Sequence, residues 1–331
     1  MSQKKIIEDL KKLNANQDID LPAYGSWPAS KHCFDDEKVV NALKAALAAQ
    51  RPLLVRGEPG TGKSQLARAA AHVLGRQFVS EVVNARSESQ DLICRFDAVG
   101  RLAKAQTLKT ETTDDAKIKA ELKPEKFISP GALWWVLDWK SADEVHTNSE
   151  YQLQRPEAPK GWKPEHGSVL LIDEIDKADA ELPNGLLETL GNNAVTIPWV
   201  NQTLGNGTSI PPLIIISTNE ERELPAAFVR RCLVLNLKLP AADKLEEWLV
   251  KRGELHFGER CPADIRHEAA RQLLKDRKAA KDLGLTPPGQ AEYLDMLRAL
   301  ALFGEAGEDQ HTMLAAISDF ALKKYPVLHG D

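Results

Sequence analysis

The chain has 331 residues, 43% apolar and 27% charged, which suits a folded protein of about two domains at roughly 150 residues each and excludes wholesale disorder or a fibrous repeat. Its 43 basic and 48 acidic residues leave a net charge of −5, so the overall balance carries no electrostatic footprint for nucleic acid or an anionic membrane. Cys33, Cys94, Cys232 and Cys261 lie far apart with no C-x-x-C pair, which excludes a zinc pattern and a dense disulfide framework and leaves ordinary thiols of a reducing compartment.

The N-terminal MSQKKIIEDLKKLNANQ mixes charged and apolar residues without a continuous apolar run, and no stretch approaches the ~18 apolar residues of a membrane span, so a cytoplasmic protein is expected. Residues 1–33 read as a short amphipathic helix and a Pro/Gly-containing lead-in, LPAYGSWPAS. Between Phe34 and Gln50 the spacing predicts a helix with acidic residues at its positive end. PLLVRG then reads as a buried strand running into a glycine-rich turn, and SQLARAAAHVLG as a helix stopped by Gly75.

Four more short apolar runs follow, FVSEVV, VLLIDE, LIIIST and LVLNLKL, starting at Phe78, Val169, Leu213 and Leu233. Their near-continuous apolar character predicts parallel strands covered on both faces, hence a doubly wound α/β core over 34–240. Lys104 to Lys126 and Trp139 to His166 are polar stretches that read as surface insertions. Beyond Pro240 only helical spacing remains, predicting a helical domain over 241–331.

GEPGTGKS, comprising Gly57, Glu58, Pro59, Gly60, Thr61, Gly62, Lys63 and Ser64, satisfies the phosphate-loop pattern G-x-x-x-x-G-K-[ST] between a strand and a helix. Glycines let backbone N–H groups turn inward around phosphate oxygens, and the helix N-terminus adds its partial positive charge. Lys63 brings a point charge to the β- and γ-phosphates, and Ser64 a hydroxyl to Mg²⁺. At the end of VLLIDE, Asp173 is expected to hold the metal and Glu174 to polarise the attacking water, because adjacent residues at a strand end point differently. Asn219, after LIIIST, is the candidate to hydrogen-bond that water or the γ-phosphate, with Thr218 as the alternative. Arg230 and Arg231 close ELPAAFVRRC; one of them, Arg231 foremost, is expected to reach the phosphoryl group of a neighbouring subunit.

With these motifs in this order, the sequence resembles the AAA+ ATPases and, more narrowly, their MoxR branch. The narrower likeness rests on VLLIDEIDKAD, LPNGLLETLGNNAVTIP, PPLIIISTNEERELPAAFVRRC and Leu239-Pro240. It implies a parallel five-stranded sheet of order 5-1-4-3-2, a helical lid, dependence on ATP and Mg²⁺, and a ring, usually hexameric, with ATP at subunit boundaries. It also implies an insertion, placed near 90–131; the second insertion, at 139–166, is read from its polarity alone. Trp134 and Trp135, in FISPGALWWVLDW, are expected in the core rather than against a substrate. Many relatives present a lid arginine to the γ-phosphate, whereas TPPGQAEY has none there, so either another residue such as Arg298 or Arg266 serves or lid sensing is weak. The family suggests a chaperone-like remodeller, partnered with a von Willebrand A domain protein. A nucleic-acid motor or loader, a GTP-using restriction-type translocase and a slow nucleotide-gated switch are the competing readings.

Overall fold

The computed structural model describes residues 2–111, 113–192, 194–197, 199–200, 202–205 and 210–322. Thr112 of the first polar insertion, Asn193 and Pro198 of LPNGLLETLGNNAVTIP, and residues 323–331 of the expected helical domain lie outside the described residues. The chain forms two compact units, Met1–Arg56 with Ser64–Leu235 and Gly57–Lys63 with Asn236–Asp331.

In the first unit α1 (Ser2–Lys12) precedes a hairpin of β1 (Gln17–Leu21) and β2 (Ser30–Phe34), where the sequence predicts only a lead-in. α2 (Glu37–Ala49) begins where Asp36 accepts from the Lys38 amide at 2.7 Å, as its acidic start predicts. β3 (Leu53–Arg56), α3 (Lys63–Leu74) and β4 (Gln77–Val82) follow, with Gly75 in the left-handed region after α3. Asp9 of α1 is buried against Arg76, whose guanidinium contacts it at 3.0 Å and donates to the Pro211 carbonyl. A charge pair removed from water needs both partners, so this contact ties α1 to the segment between α3 and β4.

The first polar insertion forms α4 (Ala98–Glu111) and α5 (Asp115–Glu121), between β5 (Cys94–Phe96) and β6 (Ile128–Pro130), which pair antiparallel. Only Leu108 of these two helices is buried. α6 (Ala132–Leu137) is buried along its whole length, Trp134 and Trp135 included, and α7 (Trp139–Asn148) follows directly. The stretch 139–166 is therefore not all surface: Trp139 and Ala142 join the core, and Trp139 packs its ring against Trp135 and Trp162 at centroid distances of 4.8 Å. Average polarity hides these contacts because large aromatic rings dominate burial even when few.

β7 (Ser168–Asp173), α8 (Glu181–Gly185), α9 (Leu187–Asn192), the hairpin of β8 (Val195–Ile197) and β9 (Gln202–Leu204), β10 (Leu213–Thr218), α10 (Ala226–Val229) and β11 (Leu233–Asn236) complete the order. The parallel sheet runs β11-β3-β10-β7-β4, which is 5-1-4-3-2 among its own strands, as the resemblance implied. Alternate residues Leu170, Ile172, Ile214 and Ile216 face the cluster containing Trp134, and α6 packs there on β4 and β7. The last predicted strand stops at Asn236 instead of Leu239, because Leu239 already packs into the apolar cluster of the second unit. The four cysteines form no disulfide with one another, and burial pushes the Cys232 and Cys261 thiols up to about 11, so neither is a reactive thiolate near neutral pH.

In the second unit α11 (Ala242–Phe257), α12 (Ala263–Asp282), α13 (Gln290–Glu305) and α14 (Gln310–Ala321) bury apolar stripes at helical spacing, among them Leu245 and Leu249, and Tyr293, Met296, Leu297 and Leu300. His311 of α14 touches Glu268 at 2.6 Å and Asp264 at 3.1 Å on α12, and these contacts raise its pKa above the ordinary 6.5. A raised histidine stabilises the fold below about pH 6.5, and that contribution disappears as pH climbs through the folded-state value. Melting temperatures of wild type and His311→Gln are therefore expected to differ at about pH 5.5 and to converge at about pH 9, modestly because the site is exposed. An equal gap at both ends contradicts this.

Candidate functional site

In the second unit the predicted phosphate loop is a tight backbone turn. Gly60 and Gly62 have φ of 73° and 87°, the left-handed region that glycine occupies without steric cost. A Cβ at Gly57 would lie 2.3 Å from the Leu237 carbonyl oxygen, so only glycine fits. Thr61 Oγ1 donates to the Glu58 carbonyl at 2.9 Å, and the Pro59 carbonyl lies against Gly289, where a Cβ would stand 3.3 Å from it. Lys63 is nearly buried, and its Nζ donates to the carbonyls of Gly57 at 2.8 Å and Glu58 at 2.9 Å. The Glu58 carboxylate pairs with the Arg277 guanidinium. The amide-rich turn and the helix beginning at Lys63 suit a phosphate group, with Lys63 as its first cation.

In the first unit the ends of β7 and β10 and the start of α3 bring four predicted polar residues, Ser64, Asp173, Glu174 and Asn219, onto one hydrogen-bonded chain through Ser217. Ser64 Oγ donates to Asp173 Oδ2 at 2.8 Å, and Ser217 donates to the other Asp173 oxygen. The Glu174 amide donates to Ser217 Oγ at 2.9 Å, and Asn219 Nδ2 donates to Glu174 Oε1 at 3.2 Å. The pairing of Ile216 with Ile172 sets this register, since one residue further along each strand stand Ser217 and Asp173. Glu174 lies in the left-handed region, φ 57° and ψ 48°. The two carboxylates thus diverge through a left-handed turn rather than through strand alternation alone. A non-glycine residue there costs about 1–3 kcal/mol and persists only where its surroundings hold it, here through the Ser217 hydroxyl and Asn219.

Thr218, the alternative to Asn219, is buried and accepts from the Glu220 amide at 2.9 Å, a turn role. Asp176 is buried and accepts from the Glu221 amide at 2.9 Å, bracing the same loop. Two hard oxygen donors, Ser64 Oγ and Asp173, suit a magnesium ion, which takes few protein ligands and keeps water and phosphate oxygens. Among the described residues no group of three or more His, Cys, Asp or Glu side chains could hold a metal ion.

Arg230 and Arg231 are both exposed. Arg51 donates to both of their carbonyls, at 3.0 Å from Nε to Arg231, and Arg231 Nη1 donates to Ala227 at 3.2 Å. Among the described residues no hydrogen bond or ion pair joins either arginine to Asp173, Glu174 or Asn219 of the same chain. Of the lid candidates, Arg266 donates to Gly258 and Cys261 carbonyls, each at 2.8 Å, and Arg298 pairs with Asp295 on the surface of α13. The arginine that meets the phosphate loop is Arg277, which no sequence pattern singles out. Ser217, the residue before the end of β10, is a second site residue that the sequence reading passes over, because it sits inside the apolar run LIIIST.

The family described as AAA domain (dynein-related subfamily) matches residues 52–232, the span from β3 to the start of β11. No curated protein matches. A solved structure from Cytophaga hutchinsonii ATCC 33406, described as a "putative ATPase", is 13% identical with a TM-score of 0.37; the alignment covers 97% of this chain and 86% of that one. A superposition that loose carries no weight about function. Among the described residues no helix is long and apolar enough to cross a membrane.

Proposed function

The chain belongs to the AAA domain family, dynein-related subfamily, and from that premise we propose that it is a Mg-ATP-dependent ATPase of MoxR type, a ring that remodels or activates a protein partner. Membership carries P-loop nucleotide binding and nucleotide hydrolysis in general. The observation that supports magnesium-dependent hydrolysis is the continuous chain Ser64–Asp173–Ser217–Glu174–Asn219, which holds a metal-type donor pair and a second carboxylate in distinct orientations.

In this reading Lys63 leaves the carbonyls of Gly57 and Glu58 for phosphate oxygens, as an anion draws a cation more strongly than a neutral acceptor does. Magnesium, held by Ser64 and Asp173, would neutralise charge on the phosphates when bound. Glu174 takes a proton from the water that attacks the γ-phosphate, and Asn219 keeps its carboxylate oriented. Arg231, with Arg230 as its alternative, is offered to a neighbouring subunit, which makes an oligomer the active unit; a hexamer is the proposed form. The partner proposed is a protein carrying a von Willebrand A domain. A net charge of −5 lends no support to a nucleic-acid motor.

Lys63→Ala is expected to weaken ATP binding by about 10–100-fold, the loss of charged hydrogen bonds worth roughly 1.5–3 kcal/mol. Titration calorimetry measures this directly. Unchanged affinity would remove the phosphate-loop assignment and everything proposed on it.

A further inference from the structure

The phosphate loop carries a carboxylate of its own. Glu58 stands inside a turn whose backbone is shaped for anions, and Glu292 Oε2 lies close by, 3.4 Å from where a Cβ of Gly60 would stand. A triphosphate entering such a loop meets like charge, which lowers affinity unless the carboxylates are compensated. Glu292 is engaged by the Gly289 amide at 2.8 Å. Glu58 is engaged by Arg277, whose side chain is only 9% exposed, and whose Nη1 also donates to the Pro288 carbonyl at 2.8 Å. A guanidinium held so far from water is stable only with a charged partner, and the partner here is a residue of the loop itself.

Resting on the phosphate-loop reading, we propose that Arg277 is a positioning residue for nucleotide, acting through Glu58: it neutralises the loop's own carboxylate so that the cradle accepts phosphate, without itself touching the γ-phosphate. The role differs from that of a lid arginine reading the terminal phosphate. A compensator acts on every phosphorylated nucleotide alike, and its importance vanishes once the carboxylate it compensates is gone.

Affinities of MgATP and MgADP for the full chain, measured by titration calorimetry for wild type, R277Q, E58Q and R277Q/E58Q, test this. R277Q is expected to weaken both nucleotides by a similar factor of about tenfold or more, because it strands Glu58 uncompensated. R277Q/E58Q is expected to recover most of the affinity that R277Q loses, with E58Q closing the double-mutant cycle, and R277K, which keeps the positive charge, is expected to bind more tightly than R277Q. A double variant as weak as R277Q shows a packing role for Arg277 and overturns the proposal. So does a loss confined to ATP, which marks direct contact with the γ-phosphate, or unchanged binding by R277Q. Should R277Q fail to fold, R277Q/E58Q against E58Q still decides: similar affinities support compensation, and a double variant far below E58Q refutes it. Lys63→Ala separates this inference from its premise, since intact binding there removes the loop assignment itself, whereas lost binding there with intact binding in R277Q removes only the role of Arg277.

Discussion

Replacing Glu174 by Gln is expected to lower ATP turnover by about 10²–10⁴-fold, the usual effect of deleting a general base, while nucleotide affinity is retained. The substitution is nearly isosteric. The amide oxygen of Gln still accepts from Asn219 Nδ2, and the backbone amide still donates to Ser217, so the left-handed turn keeps both of its supports. What disappears is the ability to take a proton from water, because an amide is not a base near neutral pH. Phosphate release in the steady state measures the rate, and nucleotide retained after gel filtration shows that binding survives. Turnover close to wild type would mean that another group activates the water, and it would leave Asp173 and Ser64 with no carboxylate beside them to complete the reaction.

Arg231→Ala is expected to reduce turnover by about 10³–10⁵-fold if its guanidinium stabilises charge on the transferred phosphoryl group of an adjacent subunit, the range known for arginine fingers in GTPase systems. The side chain is exposed and donates to the Ala227 carbonyl of its own helix, and the proposal assigns its action to the site of a second copy. Mixing Arg231→Ala with Glu174→Gln separates the two halves of the site. An interface that pairs the intact Glu174 of one variant with the intact Arg231 of the other is complete, and random assembly at equal mixing makes about a quarter of the interfaces in a head-to-tail ring of that kind. Activity rising on mixing two inactive proteins supports action between subunits. Absence of rescue at every ratio overturns it for Arg231 and directs the same test to Arg230.

Much of the fold was legible because its signals are local. Runs such as LIIIST and VLLID are apolar throughout, the pattern of strands covered on both faces, and Gly75 ends α3 where a left-handed residue is needed. Trp134 and Trp135 reached the core that their spacing on a short helix predicts. The hairpin β1–β2 was not legible: LPAYGSWPAS reads as a loop, and the strands flanking it are stabilised by pairing across that loop. The Asp9–Arg76 contact joins residues 67 apart in sequence, and nothing in KKIIEDLKK distinguishes Asp9 from a solvated charge.

In the site, residue types and spacing alone singled out the phosphate-loop pattern, the acidic pair and the asparagine as candidates, since the chemistry of phosphate, metal and water at a strand end calls for such groups. Tertiary structure alone decided how they are held. Ser217 gathers Asp173 and Glu174 only because β10 and β7 are neighbours in a particular register. Glu174 turns away through a backbone conformation that its identity does not favour. Arg277 meets Glu58 across 219 residues of sequence. Local chemistry is written along the chain because it acts over a few residues, whereas a charge partner or a hydrogen-bonding neighbour is chosen by whichever surfaces folding brings together.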